Sequence, residues 1–381
     1  MKMPNPVPRL AGILLLASLL PCSNEVPVFT PAAARASMRT EAPEEATGCD
    51  AIRARIRQVT RQLRRAIANG NAPLARRLRR QLRTLRRRLA ICQAIPLMPT
   101  MEMVTVGNPN NPPDNGNFGT VSDEFRIGKY EVTLAQYAAF LNAVAATDSH
   151  GLYHPGMATD LNSAGIARSG AAGGFRYTVI GTGTRPATYV SWFDAARFCN
   201  WLHNGQPSGL QTAMTTERGA YTLDGLTSGG ATITRTPGAK FWIPSEDEWY
   251  KAAYHDPGAE SSDYWLYPTR SNTAPGNAIG PLANQANFFD GDYSVTQKVG
   301  FDSNQNYLTV EGAYSGSPGF YGTFDQGGNV WEWNDTVFHS ANRGLRGGAW
   351  DTGGTNLMSS FQIDLLSDYA GSNVGFRVAG Q

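Results

Sequence analysis

The segment from Ala51 to Cys92 holds 14 arginines and no acidic residue. Few folds accommodate such a stretch, because a charge buried without a partner costs several kcal/mol. It can fold only by hiding apolar side chains while leaving its arginines in water. Two apolar series allow this. Ile52, Ile56, Val59, Leu63 and Ile67 recur at helical spacing, and so do Leu74, Leu78, Leu82, Leu85 and Leu89. Between them, Asn69-Gly70-Asn71-Ala72-Pro73 is a strong turn signal. The pattern predicts a hairpin of two antiparallel helices over 48–93, each of about 17 residues. Cys49 and Cys92 would meet at its open end, where an oxidising compartment favours a disulfide.

The hairpin exterior is basic, with Arg76, Arg77, Arg80, Arg83 and Arg87 along its second helix. A plain spacer would gain from i,i+4 acid–base pairs, and this segment has none. That favours an anionic partner, either a polymer or a lipid headgroup. Nucleic acid is the least favoured of these. A solvated spacer, or a contact with acidic protein surface of this or another copy, remains open. The rest of the chain supplies such surface: residues 93–381 carry 15 Lys and Arg against 26 Asp and Glu.

The N-terminus reads as an export signal. Lys2 and Arg9 precede an apolar run from Leu10 to Leu20, which Pro21 ends. The run is too short to span a bilayer and suits a signal peptide over 1–22. Export places the protein in a periplasm, at a cell surface or outside the cell. Lipid anchoring through Cys22 is weakly supported, because proline precedes that cysteine. Residues 23–47, rich in Ala, Pro and Glu, read as a linker.

The composition changes near residue 99. From there the chain is aromatic, glycine-rich and irregular, and three segments carry helix-start chemistry. Thr133 with Gln136, Ser191 with Asp194 and Ser245 with Glu248 each offer a hydroxyl cap and a side chain that reaches back. Asp194 is short for that task. Phe125–Val132 and Ala187–Val190 read as strands leading into the first two helices. The body is expected to be α+β with few regular elements.

Six ordered motifs then add up: KYEVTLAQYAAFLN (129–142), RPATYVSWFDAARFCNWL (185–202), FWIPSEDEWYKAAY (241–254), YGTFDQGGNVWEWN (321–334), LRGGAW (345–350) and GFRVA (375–379). With them the body, assigned to 99–381, resembles the formylglycine-generating enzymes, or sulfatase-modifying factor domains. The resemblance implies a C-type-lectin-like α+β fold with little regular structure, here preceded by the α-helical hairpin. It also implies structural calcium. The similar family site would use the side chains of Asp325 and Glu332 and the carbonyls of Gly328 and Val330. Calcium takes such mixed hard oxygens. A second, looser match would use Asn287, Asp292 and the Phe288 carbonyl, with Asp290 as a substitute for Asp292.

The resemblance stops at the chemistry. Family enzymes that use copper carry two cysteines, two and seven positions after the aromatic residue of the RGGSW-like motif. Those positions here are Thr352 and Leu357. Copper(I) needs soft sulfur, so copper is disfavoured. Cys199 is the only cysteine of the body, and its amphipathic surroundings place it in the core. No catalytic residue is assigned. The leading reading is an exported, non-catalytic binding or structural module stabilised by calcium. Its candidate face lies in 351–374, with Asp351, Thr352, Thr355, Asn356 and Gln362, and its ligand would be a protein, peptide or glycan. The alternative is an oxidoreductase acting on a protein cysteine or other thiol through an unrecognised metal site. A third is an accessory subunit without chemistry of its own.

Overall fold

The computed structural model describes residues 48–94, 100–259 and 263–381. The expected signal peptide, linker and Cys22 lie outside the described residues, as do the side chains of Cys49 and Cys92.

The hairpin consists of α1 (Gly48–Ala68) and α2 (Ala72–Ala94), both longer than the spacing suggested. Gly70 sits at φ 68, where a residue without Cβ turns the chain freely. Asn71 donates back to the Ala66 carbonyl at 2.9 Å and accepts from the Leu74 amide at 3.1 Å, so it caps α2. Val59, Leu78, Leu82 and Leu85 form the buried seam, with Ile56 and Leu63 packed against it. One part of the pattern departs from expectation. Ile67 and Leu74 are 52% and 37% exposed, and Ala66 and Ala75 are buried at the turn end instead. Two alanines there allow the helices to close, which leaves no gap for larger side chains.

The body has three capped helices. They are α3 (Leu134–Val144), α5 (Trp192–His203) and α6 (Glu246–Tyr254), with the single turn α4 (Gly156–Thr159) between the first two. Each of the three long helices begins with a complete capping box. Asp194 reaches back despite its length, because its carboxylate takes both the Ser191 amide at 3.0 Å and the Ser191 hydroxyl at 2.6 Å. The inward faces supply Tyr137, Phe140, Phe198 and Trp201, whose rings form one edge-and-tilt cluster with Phe376.

Short strands complete the architecture. β1 (Met103–Val106), β2 (Phe125–Gly128), β5 (Phe241–Trp242) and β10 (Ala379–Gly380) form an antiparallel sheet in the order β1-β2-β10-β5. The end of the chain therefore lies between two segments far from it in sequence. A second sheet has the order β8-β7-β6-β9, from β6 (Trp331–Val337), β7 (Asn342–Arg346), β8 (Ile363–Leu366) and β9 (Val374–Gly375). β3 (Ile166–Ser169) and β4 (Arg176–Val179) make a separate hairpin. The expected strand at Ala187–Val190 does not form. Tyr189 adopts φ 58, which breaks the extended run. The body is thus α+β with modest regular structure. Among the described residues, no helix is long and apolar enough to cross a membrane.

Candidate functional site

The RGGAW motif ends β7 and launches the loop that would carry chemistry. Gly347 has φ 98, and a Cβ there would stand 2.6 Å from the Gln326 carbonyl, so the close approach requires glycine. Two residues beyond Trp350, the Thr352 hydroxyl accepts from the Ala349 amide at 2.8 Å and donates to the Ala349 carbonyl at 3.0 Å. It closes its own turn. Leu357 ends a short 3-10 helix, Gly354–Leu357, and is fully buried with Tyr267, Ala286 and Phe288. Its carbonyl takes the Tyr254 hydroxyl at 3.1 Å. One position is spent on a turn and the other on core packing. Neither donor set fits copper. Cys199 is sealed in the main core, and burial pushes its thiol well above the usual range. Such a thiol is neither a nucleophile nor a ready metal ligand.

The remaining residues of the candidate face are divided. Asn356 donates to the Gly353 carbonyl at 3.0 Å and serves the same turn. Gln362 accepts from Arg346 at 3.1 Å. Asp351 is exposed and holds the Asn373 amide at 3.1 Å through either oxygen, and Thr355 faces solvent. Leu366 and Tyr369 add exposed apolar surface, at 60% and 44%. The loop is anchored from beneath. The Arg346 guanidinium takes the carbonyls of Ser359 at 2.7 Å and Phe361 at 2.9 Å, pairs with buried Glu246, and lies over the rings of Phe118 and Tyr250. The result is a polar surface on a fixed support.

A second arrangement gathers around Arg377. Both Glu332 oxygens accept from this buried guanidinium at 2.6 Å, and one also takes the Trp249 indole N–H at 2.7 Å. Arg377 further binds the carbonyls of Gly128 and Phe324, at 2.9 and 3.0 Å. Glu131 is also buried nearby, and accepts from Asn329 at 3.1 Å. Burial, then the charges of Asp325 and Glu332, pushes Glu131 well above the usual carboxylate range. Asp325 is pushed up to about 6, chiefly by burial. One guanidinium thus faces three carboxyl groups.

Of the first calcium set, Asp325 lines a small polar cavity, while both Glu332 oxygens are taken by Arg377 and Trp249. Asp325 sits at φ 59 and Gly328 at φ 80, and a Cβ on Gly328 would stand 2.1 Å from the Asn287 carbonyl. Beside Asp325 lies a polar cavity of about 10 Å³, lined also by Tyr314, Ser317, Thr323 and Gln326. That is room for one water-sized occupant. Among the described residues, the Gln326 Oε1 and Tyr314 hydroxyl oxygens are buried without a hydrogen-bond partner. Surplus carboxylate and orphaned oxygen suit a hard cation. No three His, Cys, Asp or Glu side chains among the described residues are arranged to hold a metal. An ion here would therefore also need backbone oxygens, such as those of Gly328 and Val330.

The residues of the second set have other partners in this structure. Asn287 donates to the Tyr307 carbonyl at 2.9 Å and to Asn329 Oδ1 at 3.0 Å. Asp292 instead holds Asn277 at 2.7 Å, the Phe288 carbonyl takes the Ser294 hydroxyl at 3.1 Å, and Asp290 is exposed. These groups serve separate local contacts. Sequence reading missed Glu131; its only local mark is an acid between Tyr130 and Val132, with Lys129 close by. Along the hairpin, Arg76, Arg77, Arg80, Arg83 and Arg87 are all exposed.

Among curated proteins nothing matches the chain. Among solved structures, CarF shares 19% identity with a TM-score of 0.41, over 74% of this chain and 99% of its own. The variable protein 1 of Treponema denticola shares 19% with a TM-score of 0.38, over 73% and 94%. PvdO from Pseudomonas aeruginosa shares 19% with a TM-score of 0.38, over 74% and 92%. The model of the sulfatase-modifying factor enzyme 1-like domain matches residues 101–381, most of the chain, and the protein belongs to that family.

Proposed function

We propose that the body is a non-catalytic binding or structural module of this family, stabilised by calcium and presenting the surface of residues 351–374. One observation carries the reading: both positions where copper-using relatives hold thiolates are committed to structure, Thr352 to a turn and Leu357 to the core. The thiol that is described, Cys199, is sealed and protonated. A bound calcium would supply charge neutralisation beside Asp325 and Glu332. Asp325, Glu332 and the carbonyls of Gly328 and Val330 would hold it. Arg377 shares the same carboxylates and fixes Glu332 in place. Arg346 holds the loop from Ser359 to Gln362 in one shape, so the face is preorganised for a ligand. Asp351 and Thr355 offer polar contacts there, and Leu366 and Tyr369 offer apolar area. A protein, peptide or glycan suits this mixture. Export, read from the apolar run at Leu10–Leu20, is part of the same proposal.

The test is anaerobic copper(I) titration of the purified full chain, paired with oxygen consumption in the presence of a cysteine peptide. The expected result is no tight site of thiolate character and no oxygen uptake above a buffer control. Tight copper binding with turnover would reinstate an oxidoreductase acting on thiols.

A further inference from the structure

We propose that the helical hairpin is a binding surface for a linear acidic polysaccharide. The two helices have already used their apolar faces on each other. Their apolar residues close on one another, with Val59, Leu78, Leu82 and Leu85 buried in the seam. A helix that lies on a bilayer needs an exposed apolar face, and here that face is consumed. Among the described residues, Ile67 and Leu74, at the turn, are the exposed large apolar side chains of the hairpin. The outside is arginine.

Two ladders stand opposite the seam. Arg76, Arg80, Arg83 and Arg87 are spaced four, three and four residues apart on α2, and Arg57, Arg61 and Arg64 repeat the step on α1. All seven are exposed. Helix geometry sets one guanidinium about every 5–6 Å along each ladder, over about 16 Å on α2. None of the seven forms an ion pair among the described residues. Between the helices, a groove of about 490 Å³ adds Arg55, Arg65 and Arg77, with Gln62 and Gln81. A single small anion needs one pocket. A repeated array of forks matches a chain that repeats its carboxylates or sulfates.

The choice among polyanions rests on three further observations. The hairpin has no Phe, Trp or Tyr, so it lacks the stacking platforms that single-stranded nucleic acid requires. Its arginines point outward from both paired helices, so the charge is spread over two faces and not gathered on one recognition helix. Upstream lies the export-type run at Leu10–Leu20; on the proposed export the partner is met outside the cytoplasm, where acidic glycans carry repeated carboxylates or sulfates.

The experiment measures binding of the full chain to heparin and to polygalacturonate at 150 mM NaCl, across a salt series. Duplex DNA and phosphatidylglycerol vesicles serve as competing probes. Two variants are compared with wild type: R76Q/R80Q/R83Q/R87Q and R57Q/R61Q/R64Q. Glutamine keeps helix propensity, and circular dichroism checks that helicity is retained. The expected result is binding to at least one of the two polysaccharides, weakened about tenfold or more in at least one variant, with a shallower dependence on salt. Unchanged affinity in both variants would overturn the proposal. So would tighter binding to DNA or to vesicles than to either polysaccharide. Light scattering without any polyanion gives a further check, because dimerisation abolished in the variants would assign the arginines to a second copy instead.

Discussion

Replacing Arg377 with leucine is expected to destabilise the body by about 3–5 kcal/mol, the usual cost of removing one partner of a buried ion pair. Leucine leaves Glu332 buried with its main cation gone, and it removes the charge that offsets Glu131 and Asp325. It also abandons the carbonyls of Gly128 and Phe324, which tie β2 and the 321–334 segment to the end of the chain. The melting temperature should fall by roughly 10 °C. Thermal melts of R377L and of the double variant R377L/E332L measure this. The double variant should recover part of the loss, because it no longer buries a lone carboxylate. If R377L melted within a degree or two of wild type, the central role given to this charge group would be wrong.

The second large effect concerns the ion itself. A ligand that binds only the folded chain, present at about 100 times its Kd, stabilises by about 2.7 kcal/mol. Adding EGTA should therefore lower the melting temperature by roughly 5 °C or more. Excess calcium should restore it, and magnesium should not restore it fully, because it demands a tighter octahedral cage. Asp325→Ala should melt lower than wild type in calcium and respond little to EGTA. An Asp292→Ala variant should respond like wild type, because Asp292 serves a contact with Asn277. The same loss of EGTA response in both variants would show that the assignment of the site to Asp325 alone is too narrow.

Local features of this chain were legible, and distant pairings were not. The three helix starts read directly from residues three apart, because a capping box is made within one turn. The hairpin read well for the same reason. Its turn end did not, since counting large apolar residues overlooks alanines that bury through close approach, as Ala66 and Ala75 do. Tyr189 at φ 58 could not be foreseen from a β-prone segment. The two-residue strands Val374–Gly375 and Ala379–Gly380 carry no periodicity at all; they exist through pairing with Trp331–Glu332, Arg126–Ile127 and Phe241–Trp242. At the candidate site, the sequence located Thr352 and Leu357. The turn at Thr352 is local, closed on Ala349 three residues back, but the core contact at Leu357 depends on Tyr267 and Phe288, brought there by the fold. Glu131 joined the charge group for the same reason, across some two hundred residues from Glu332.

We propose that the body has the family scaffold with calcium and lacks the copper chemistry. Elemental analysis of the full chain, purified without chelator and dialysed against metal-free buffer, tests it most directly. The account predicts about one calcium per chain and copper at background. Stoichiometric copper with calcium at background would contradict it.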